Sequence, residues 1–301
     1  MTLPFSILDL APIAEGSSIA EALDNSQKLA IQAEQSGYNR VWLAEHHGMF
    51  GVASSATAVV LGHIAAATSK IRIGSGGVML PNHSPLVIAE QFGTLATLFP
   101  DRVDLGLGRA PGTDMATARA LRRNLNSEVD NYPEDIRELQ HYLAAPQAGQ
   151  NIVAVPGANT HIPIWLLGSS LYSAQLAGQF GLPYSFASHF APEQLFDAIS
   201  LYRSSFQASE QSERPYMMAG LMAVVADSDE EAEYLFTSVQ QQFMNLRRGV
   251  NRPFARPVDD ISNICTAADQ AMLSNILRYA MVGSKQTVTD KLNQFIEATK
   301  V

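Results

Sequence analysis

Short apolar stretches alternate with longer amphipathic stretches seven times along the chain, and this alternation constrains the fold more than any other feature. A short, bounded apolar run is typical of a buried strand, and apolar residues spaced three and four apart are typical of a helix. Strands that alternate with helices over short links run parallel and are joined by right-handed crossovers. The predicted strands are Phe5–Leu10, Val41–Ala44, Ile71–Leu80, Val103–Gly108, Ile164–Gly168, Tyr184–Ala187 and Met217–Ala226.

Several helices carry recognisable start signals. Ser18 with Glu21 forms a capping box, and Ser84 followed by Pro85 places a capping hydroxyl before a proline suited to the first helical position. A long helical region, Met115–Ala144, is expected to break near Pro133. These signals support an α/β fold.

Two arrangements fit this pattern, a closed (β/α)₈ TIM barrel and an open doubly wound sheet. The open sheet normally carries a glycine-rich dinucleotide turn after its first strand, and Ala11–Ile13 is not such a turn. We therefore predict the barrel, as a single domain over residues 1–301. Its eighth strand is expected to be missing, because after a predicted helix, Thr287–Thr299, the sequence ends at Val301, where that strand should begin. A longer chain, or closure by a partner or another segment, would explain the gap.

Composition limits the classes of partner. The net charge of −9 and pI near 5.2 argue against nucleic acid or an anionic membrane. Cys265 is the single cysteine, which excludes an intramolecular disulfide and favours a reducing compartment. The first residues lack a basic, signal-like segment, and no apolar run reaches the roughly 18 residues of a membrane span. We expect a cytoplasmic protein.

Polar residues and glycines follow the predicted strands, and in a barrel the residues just past each strand share one rim. Adjacent residues of an extended chain point to opposite sides, so only one of His46 and His47 can face a common pocket. Solvation of one histidine and burial of the other would explain the pair without any function. The rim residues are Glu45, His46, His47, Gly76, Gly77, Arg109, Gly168, Ser169, Ser170, Ser188 and His189.

One part of this rim resembles an anion site. Ser169 and Ser170 precede a helix that carries Ser173, so free N–H groups and hydroxyls can bind a phosphate. Arg109 and Arg119 would add planar guanidinium donors. Ordinary helix capping and two surface arginines explain each feature separately, whereas their coincidence on one rim favours phosphate.

The Gly76–Gly77 pair interrupts an otherwise strong strand. Close approach of a flat ring to the backbone would explain it, and so would a bulge that closes the barrel.

The pattern Gly106–Gly108 lacks the third glycine of a dinucleotide fingerprint. No convergent set of ligands joins His46 and His47, so we predict no metal site.

Five segments of the chain form a recognisable set of motifs. They are Val41–His47 (VWLAEHH), Ile73–Pro81 (IGSGGVMLP), Leu105–Arg109 (LGLGR), Gly112–Met115 (GTDM) and Gln179–Pro183 (QFGLP). Taken together, these motifs resemble the bacterial luciferase-like flavin monooxygenase family, in its single-gene, alkanal-monooxygenase-like branch. The likeness extends from Phe5 to about Ala226, with weaker similarity at Gly283–Thr299.

This resemblance implies a luciferase-like barrel that binds FMN, often as a homodimer, with reduced flavin delivered by a separate flavin reductase. It implies that His46 is the catalytic imidazole and that Gly76 and Gly77 form a cis peptide supporting the isoalloxazine ring. Arg109, Arg119, Ser169, Ser170 and Ser173 would bind the phosphate.

The first functional hypothesis is therefore an FMN-dependent monooxygenase that uses O₂ to oxidise a small, nonpolar organic substrate. The alternatives are a non-catalytic flavin-binding protein and a deazaflavin (F420)-dependent oxidoreductase on the same barrel. A region around residues 245–262, with Pro253 and Pro257, is either a lid over the rim or a plain surface loop.

Overall fold

The chain forms two compact units in the computed structural model, which describes residues 3–110, 114–121 and 131–301. The first unit comprises Met1–Ile13 and Ser17–Leu167, and the second comprises Ala14–Gly16 and Gly168–Val301. The expectation of a single domain over residues 1–301 stays a prediction. None of the helices in the described ranges combines the length and the apolarity needed to cross a bilayer.

Parallel strands that alternate with helices build the first unit, as the sequence predicts. The strands pair in the order β1-β2-β3-β4-β5, with each strand beside its neighbours in the chain. They are β1 (Ser6–Asp9), β2 (Arg40–Leu43), β3 (Arg72–Met79), β4 (Val103–Gly108) and β5 (Ile164–Gly168), whose final glycine belongs to the second unit. The helices are α1 (Ile19–Gln35), α2 (Thr57–Ala66), α3 (Pro85–Leu98), α4 (Met115–Ala120) and α5 (Tyr132–Leu143).

Local capping chemistry accounts for where these helices begin. The Ser18 hydroxyl accepts a hydrogen bond from the Glu21 N–H while the Glu21 carboxylate accepts one from Ser18, so the predicted capping box is confirmed. Pro85 opens α3 as predicted, but the Ser84 side chain makes no capping bond. The predicted break in the helical region after Met115 is confirmed by the separate helices α4 and α5, and residues 122–130 lie outside the described part.

A buried charge network ties together the beginnings of the strands in the first unit. The Asp104 carboxylate on β4 accepts hydrogen bonds from Arg72 Nε at 3.0 Å and Trp42 Nε1 at 3.3 Å, and lies 3.2 Å from Arg40. The Arg40 guanidinium is stacked 4.6 Å from the centre of the Trp165 ring. Four strands thus contribute to one network, in which both Asp104 and Arg40 are almost fully buried.

Asp104→Ala is expected to lower the free energy of unfolding by about 3–5 kcal/mol, because it leaves the buried Arg40 without its carboxylate partner. Asp24→Ala is the control, since its ion pair with Lys28 is exposed on α1 and is worth less than about 1 kcal/mol. Urea unfolding followed by circular dichroism measures both. Equal losses in the two variants would contradict a structural role for the Asp104 network.

A second carboxylate holds the chain that leads into β3. Glu34, in the last turn of α1, accepts hydrogen bonds from the backbone N–H groups of Ser69 (2.9 Å) and Ile71 (2.8 Å) and from the Ser69 hydroxyl (3.1 Å). Burial raises the pKa of Glu34, but these bonds, together with one from the Lys70 N–H, outweigh it and lower the pKa to about 2.

The stabilisation from Glu34 is expected to depend on pH with a defined sign. Because its pKa falls from 4.5 to about 2 on folding, the contribution is full above pH 4.5 and is lost as the pH falls towards 2. Glu34→Gln should cost about 1–2 kcal/mol at pH 7, a value reduced for solvent screening of a partly exposed group. The test measures the free energy of unfolding of the wild type and of Glu34→Gln at pH 7 and at pH 3. A difference between the two proteins that is larger at pH 3 than at pH 7 would contradict this expectation.

The second unit contains two pairs of parallel strands, β6 with β7 and β8 with β9. The strands are β6 (Tyr184–Phe186), β7 (Met217–Ala219), β8 (Ala223–Ala226) and β9 (Met281–Ser284). The helices are α6 (Leu171–Phe180), α7 (Leu195–Ser205), α8 (Asp229–Arg247), α9 (Ala267–Ile276) and α10 (Lys285–Thr299). Its core lies between α8, α9 and β9, around Phe236, Phe243 and Leu273.

The strand arrangement of the second unit differs from the sequence expectation in two places. The single strand predicted over Met217–Ala226 is divided into β7 and β8, which pair with different partners. A further strand, β9, precedes the last helix and pairs in parallel with β8, whereas the sequence analysis looked for a strand after that helix. Four residues including a glycine carry too weak a pattern to be recognised, and only their pairing defines the strand.

The proposed lid region, residues 245–262, is held to its own unit at several points. Phe254 forms a bridge with Ala14, and its carbonyl accepts a hydrogen bond from the Glu15 N–H at 2.9 Å. Gln241 on α8 donates to the Arg256 carbonyl at 2.8 Å, and the Val258 N–H donates to the Thr237 hydroxyl at 2.9 Å. A covering role for this region stays a prediction.

Candidate functional site

The segment that follows β2 places three ionisable side chains where a buried strand ends. The strand is completely buried, and the next charged residue, Glu45, is only 2% exposed. Glu45 and His47 lie on one side of the chain, where the carboxylate contacts the imidazole, as alternation along an extended segment requires. His46 lies between them in sequence and makes no such contact, so the two histidines have different surroundings.

The Glu45 carboxylate is the centre of a small hydrogen-bonded cluster in the first unit. Its Oε1 atom accepts hydrogen bonds from His47 Nε2 and from His83 Nε2, both at 2.8 Å. Its Oε2 atom accepts from the Met79 N–H at 3.3 Å. Burial raises the pKa of Glu45, but the hydrogen bonds and charges of His83 and His47 outweigh it, so the pKa lies below its ordinary value. Glu45 is therefore ionised at neutral pH.

His46 presents a buried ring nitrogen, Nδ1, which makes no hydrogen bond to any residue that the structure describes. Burial lowers its pKa, the Glu45 charge opposes this, and His47 adds to the lowering. The imidazole is therefore neutral at pH 7. A buried polar atom left without a partner is costly in a folded protein unless a ligand or water completes it, so this nitrogen fits a site for a bound molecule.

The Gly76–Gly77 peptide on β3 is cis, as the family resemblance implies. The pairing of β3 with β4 shifts register between Ser75 and Val78, which is the bulge that the sequence analysis offered as one explanation. A Cβ atom at Gly77 would lie 2.7 Å from the Gly106 carbonyl oxygen, and one at Gly76 would meet the Leu8 side chain. The backbone of β4 therefore requires a glycine at position 77, whereas a side chain at position 76 would have to displace the end of the Leu8 side chain. A role for either glycine in supporting a flavin ring stays a prediction.

Arg109 and Arg119 both lie exposed in the first unit, Arg109 directly after β4 and Arg119 in the last turn of α4. Asp114 caps α4 by accepting from the Ala116 and Thr117 N–H groups, at 2.8 and 2.9 Å. The same helix packs against the segment after His47, since a Cβ at Gly48 would lie 2.7 Å from the Thr117 hydroxyl. Residues 111–113, which include part of the GTDM motif, lie outside the described part.

The serines of the predicted phosphate site lie at the start of α6 in the second unit. Ser169 is exposed, and Ser170 caps the helix by accepting from the Ser173 N–H at 3.4 Å. The Ser173 hydroxyl donates to the Ser170 carbonyl at 2.8 Å and lies 2.9 Å from the buried Tyr184 hydroxyl. The ordinary capping explanation is thus observed, and phosphate binding by these residues stays a prediction. The expectation that these serines share one rim with His46 and Gly76 also stays a prediction.

Sequence reasoning missed His83 as a partner of Glu45. The residue lies in the segment PNHSP between β3 and α3, so its place just beyond a predicted strand end was the available signal. The expectation that no ligand set joins the histidines considered His46 with His47, whereas the structure groups His47 with His83 and Glu45. Contacts across 38 positions of sequence have no local signature.

The residues after β6 form a second buried polar group, in the second unit. The fully buried Ser188 donates to the Gly220 carbonyl at 2.6 Å. The neighbouring His189 has a pKa lowered by burial, and its Nδ1 makes no hydrogen bond within the described ranges. The sequence analysis placed both residues at a strand end, where the structure has them.

Comparison with known proteins gives consistent results over the whole chain. The family model for luciferase-like monooxygenases matches residues 3–300. A luciferase-like monooxygenase from Escherichia coli (strain K12) is 52% identical over 298 residues, which cover 99% of this chain and 89% of the relative. The N-acetyl-S-alkylcysteine monooxygenase of Bacillus subtilis (strain 168) is 38% identical over 76% of this chain and 69% of its own length.

Solved structures agree on the fold. Apo-MsnO8 has a TM-score of 0.87 and 31% identity, covering all of this chain and 91% of that one. Two more distant structures share the fold alone. The oxygenating constituent of 3,6-diketocamphane monooxygenase from Pseudomonas putida, in complex with FMN, has a TM-score of 0.72 and 20% identity, and the match covers 99% of this chain and 89% of that one. The coenzyme F420-dependent tetrahydromethanopterin reductase of Methanopyrus kandleri has a TM-score of 0.68 and 16% identity, and the match covers 99% of this chain and 91% of that one.

The predicted fold class, an α/β chain of the luciferase-like TIM-barrel type, is confirmed by this likeness. The resemblance inferred from the motifs is confirmed as well. The family model extends over nearly every residue, and one relative is identical at about half of the aligned positions. The chain therefore belongs to the luciferase-like monooxygenase family.

Proposed function

We propose that this protein is an FMN-dependent monooxygenase that uses reduced FMN and O₂ to oxidise a small, nonpolar organic substrate. Membership of a monooxygenase family supports the reaction type. The observation that carries the assignment of a site is the buried, unpartnered Nδ1 atom of His46 at the end of β2. When bound, reduced flavin supplies the electrons for oxygen chemistry, and the protein supplies binding, orientation and exclusion of water.

The described residues fit an anionic, planar cofactor in their chemistry. In the first unit, Arg109 and Arg119 carry exposed guanidinium groups, whose paired donors suit phosphate. In the second unit, Ser169, Ser170 and the first N–H groups of α6 offer the donors of a helix start. The role proposed for Gly76–Gly77 is to support the flavin ring along β3.

His46 is proposed to hold or accept a proton at Nδ1 during oxidation of the substrate. An unpartnered ring nitrogen on a segment fixed by the Glu45 and His47 contact has the geometry of a general acid or base. The Met79 thioether lies over Gly108 at the end of β4, since a Cβ there would be 2.8 Å from Sδ. This apolar group supports a nonpolar substrate and helps to keep water out.

A homodimer and a transient flavin reductase are the proposed partners. All residues of helix α2 except Thr57 and His63 are apolar, and Val59 on it is 74% exposed. Val87 and Leu98 on the neighbouring α3 are 43% and 64% exposed, which supports burial of these apolar side chains against a second copy. The reductase follows from the family resemblance, because the proposed oxygenase needs its flavin supplied in reduced form.

His46→Ala is expected to retain FMN affinity within about twofold while turnover falls by roughly 10²–10⁴-fold, the usual contribution of a positioned acid or base. Substrate-dependent oxygen uptake with chemically reduced FMN measures turnover on a panel of linear aldehydes, ketones and thioethers. His141→Ala, which removes an exposed histidine of α5, is the control. Unchanged turnover in His46→Ala would remove this residue from the mechanism.

Arg109→Ala is expected to weaken binding of FMN by about tenfold to a hundredfold and binding of riboflavin much less, because only FMN carries a phosphate. Fluorescence titration of both flavins gives the two affinities. Arg137→Ala, at an exposed ion pair on α5, serves as the control. Equal losses for FMN and riboflavin would refute the phosphate assignment.

The same titration separates the alternative functions. Tight binding of F420 with no affinity for FMN would favour a deazaflavin-dependent oxidoreductase, a class present among the fold relatives. FMN binding without substrate-dependent oxygen uptake across the panel would favour a non-catalytic flavin-binding protein.

A further inference from the structure

We propose that Glu45, His47 and His83 form a binding site for a divalent transition-metal ion of the Zn²⁺ class in the first unit. The three residues come from two places, the segment after β2 and the turn between β3 and α3. This site is separate in its chemistry from flavin binding, and the inference does not rest on the proposed oxidation.

The spacing of the three ligand atoms is close to that of a metal site. His47 Nε2 and His83 Nε2 each lie 2.8 Å from the same Glu45 oxygen, and one atom from each residue lies within 4.8 Å of the other two. Ligands bound to zinc at about 2.1 Å are separated by about 3.0–3.4 Å. Opening the two 2.8 Å contacts to this spacing, and bringing the two ring nitrogens, which lie within 4.8 Å of each other, to the same spacing, would convert the hydrogen-bonded cluster into a coordination shell.

The donor set selects the kind of ion. Two imidazoles and one carboxylate form the ligand set of many three-residue zinc sites and of non-haem iron sites, which keep further positions for water. Calcium and magnesium prefer shells made of oxygen, and the cluster offers only one carboxylate. A first-row transition metal with affinity for imidazole is therefore the expected occupant.

Burial and outer contacts also suit metal binding. The Glu45 side chain is 3% exposed, whereas His47 and His83 are 15% and 26% exposed, so the carboxylate forms the floor and the imidazoles open towards solvent. The Met79 N–H holds the second carboxylate oxygen, which leaves Oε1 directed at both rings. Fixed outer contacts of this kind orient ligands for a metal.

Ion binding would select one tautomer of each ring. A neutral ring that donates to the ionised Glu45 carries its hydrogen on Nε2. An ion needs the lone pair at Nε2, so a neutral ring that binds it carries its hydrogen on Nδ1. Because Glu45 and His47 flank His46 in the chain, a bound ion would also fix the backbone on both sides of His46.

The test uses the full-length protein after removal of metals with EDTA, titrated with Co²⁺ and then with Zn²⁺ in the absence of flavin and substrate. We expect one Co²⁺ per chain with the intense visible bands of a four- or five-coordinate ion, and displacement by Zn²⁺. Zn²⁺ should also raise the thermal unfolding temperature, because it binds the folded state.

Two variants and one control decide the site. His47→Gln and His83→Gln should lose the visible bands and weaken Zn²⁺ binding by at least about tenfold, while each glutamine still offers a donor to Glu45. His161→Gln removes an exposed histidine near Asn159 and should behave as the wild type. Circular dichroism confirms folding of each variant.

The inference is overturned if the wild type shows only the weak spectrum of hydrated Co²⁺. It is equally overturned if the His47→Gln and His83→Gln variants bind Zn²⁺ as tightly as the wild type and the His161→Gln control. Since no flavin or substrate is present, neither result bears on the proposed monooxygenase activity.

Discussion

Parallel pairing of consecutive strands decides where each polar group of the first unit lies. In the register of β2 with β3, Arg40 is opposite Arg72 at the strand starts and Leu43 is opposite Ser75 towards their ends. Side chains at the starts can then meet one another, and side chains just past the ends can do the same. This constraint separates the Asp104 network from the Glu45 cluster, although both depend on a buried carboxylate.

The two carboxylates differ in how they are surrounded. Asp104 is enclosed by permanently charged guanidinium groups and a tryptophan, with almost no exposed surface, which suits a network that holds strands together. Glu45 is hydrogen-bonded to two imidazoles that are partly exposed to solvent. Because imidazole can change its protonation and bind metal ions near neutral pH, chemistry is expected at the Glu45 end.

His46 and the Glu45 cluster lie on the same short segment of the chain and have different surroundings. Alternation along the extended chain directs Glu45 and His47 towards His83 and leaves the Nδ1 atom of His46 without a partner in the described residues. The cluster fixes the backbone on either side of that ring. The role proposed for His46 in proton transfer needs such support, since a loosely held imidazole would lose the geometry that catalysis requires.

The sequence by itself determined the alternation of strands and helices, the capping box at Ser18 and Glu21, the start of α3 at Pro85 and the place of Glu45 and His46 beyond β2. These features follow from periodicity and capping, which act over a few residues. Only the tertiary structure decided that β9 pairs with β8, that His83 shares the Glu45 oxygen and that the Ser173 hydroxyl is occupied by the Ser170 carbonyl and Tyr184. Apart from the bond to Ser170, these contacts join residues distant in the chain, and packing of the folded elements, rather than any local pattern, brings them together.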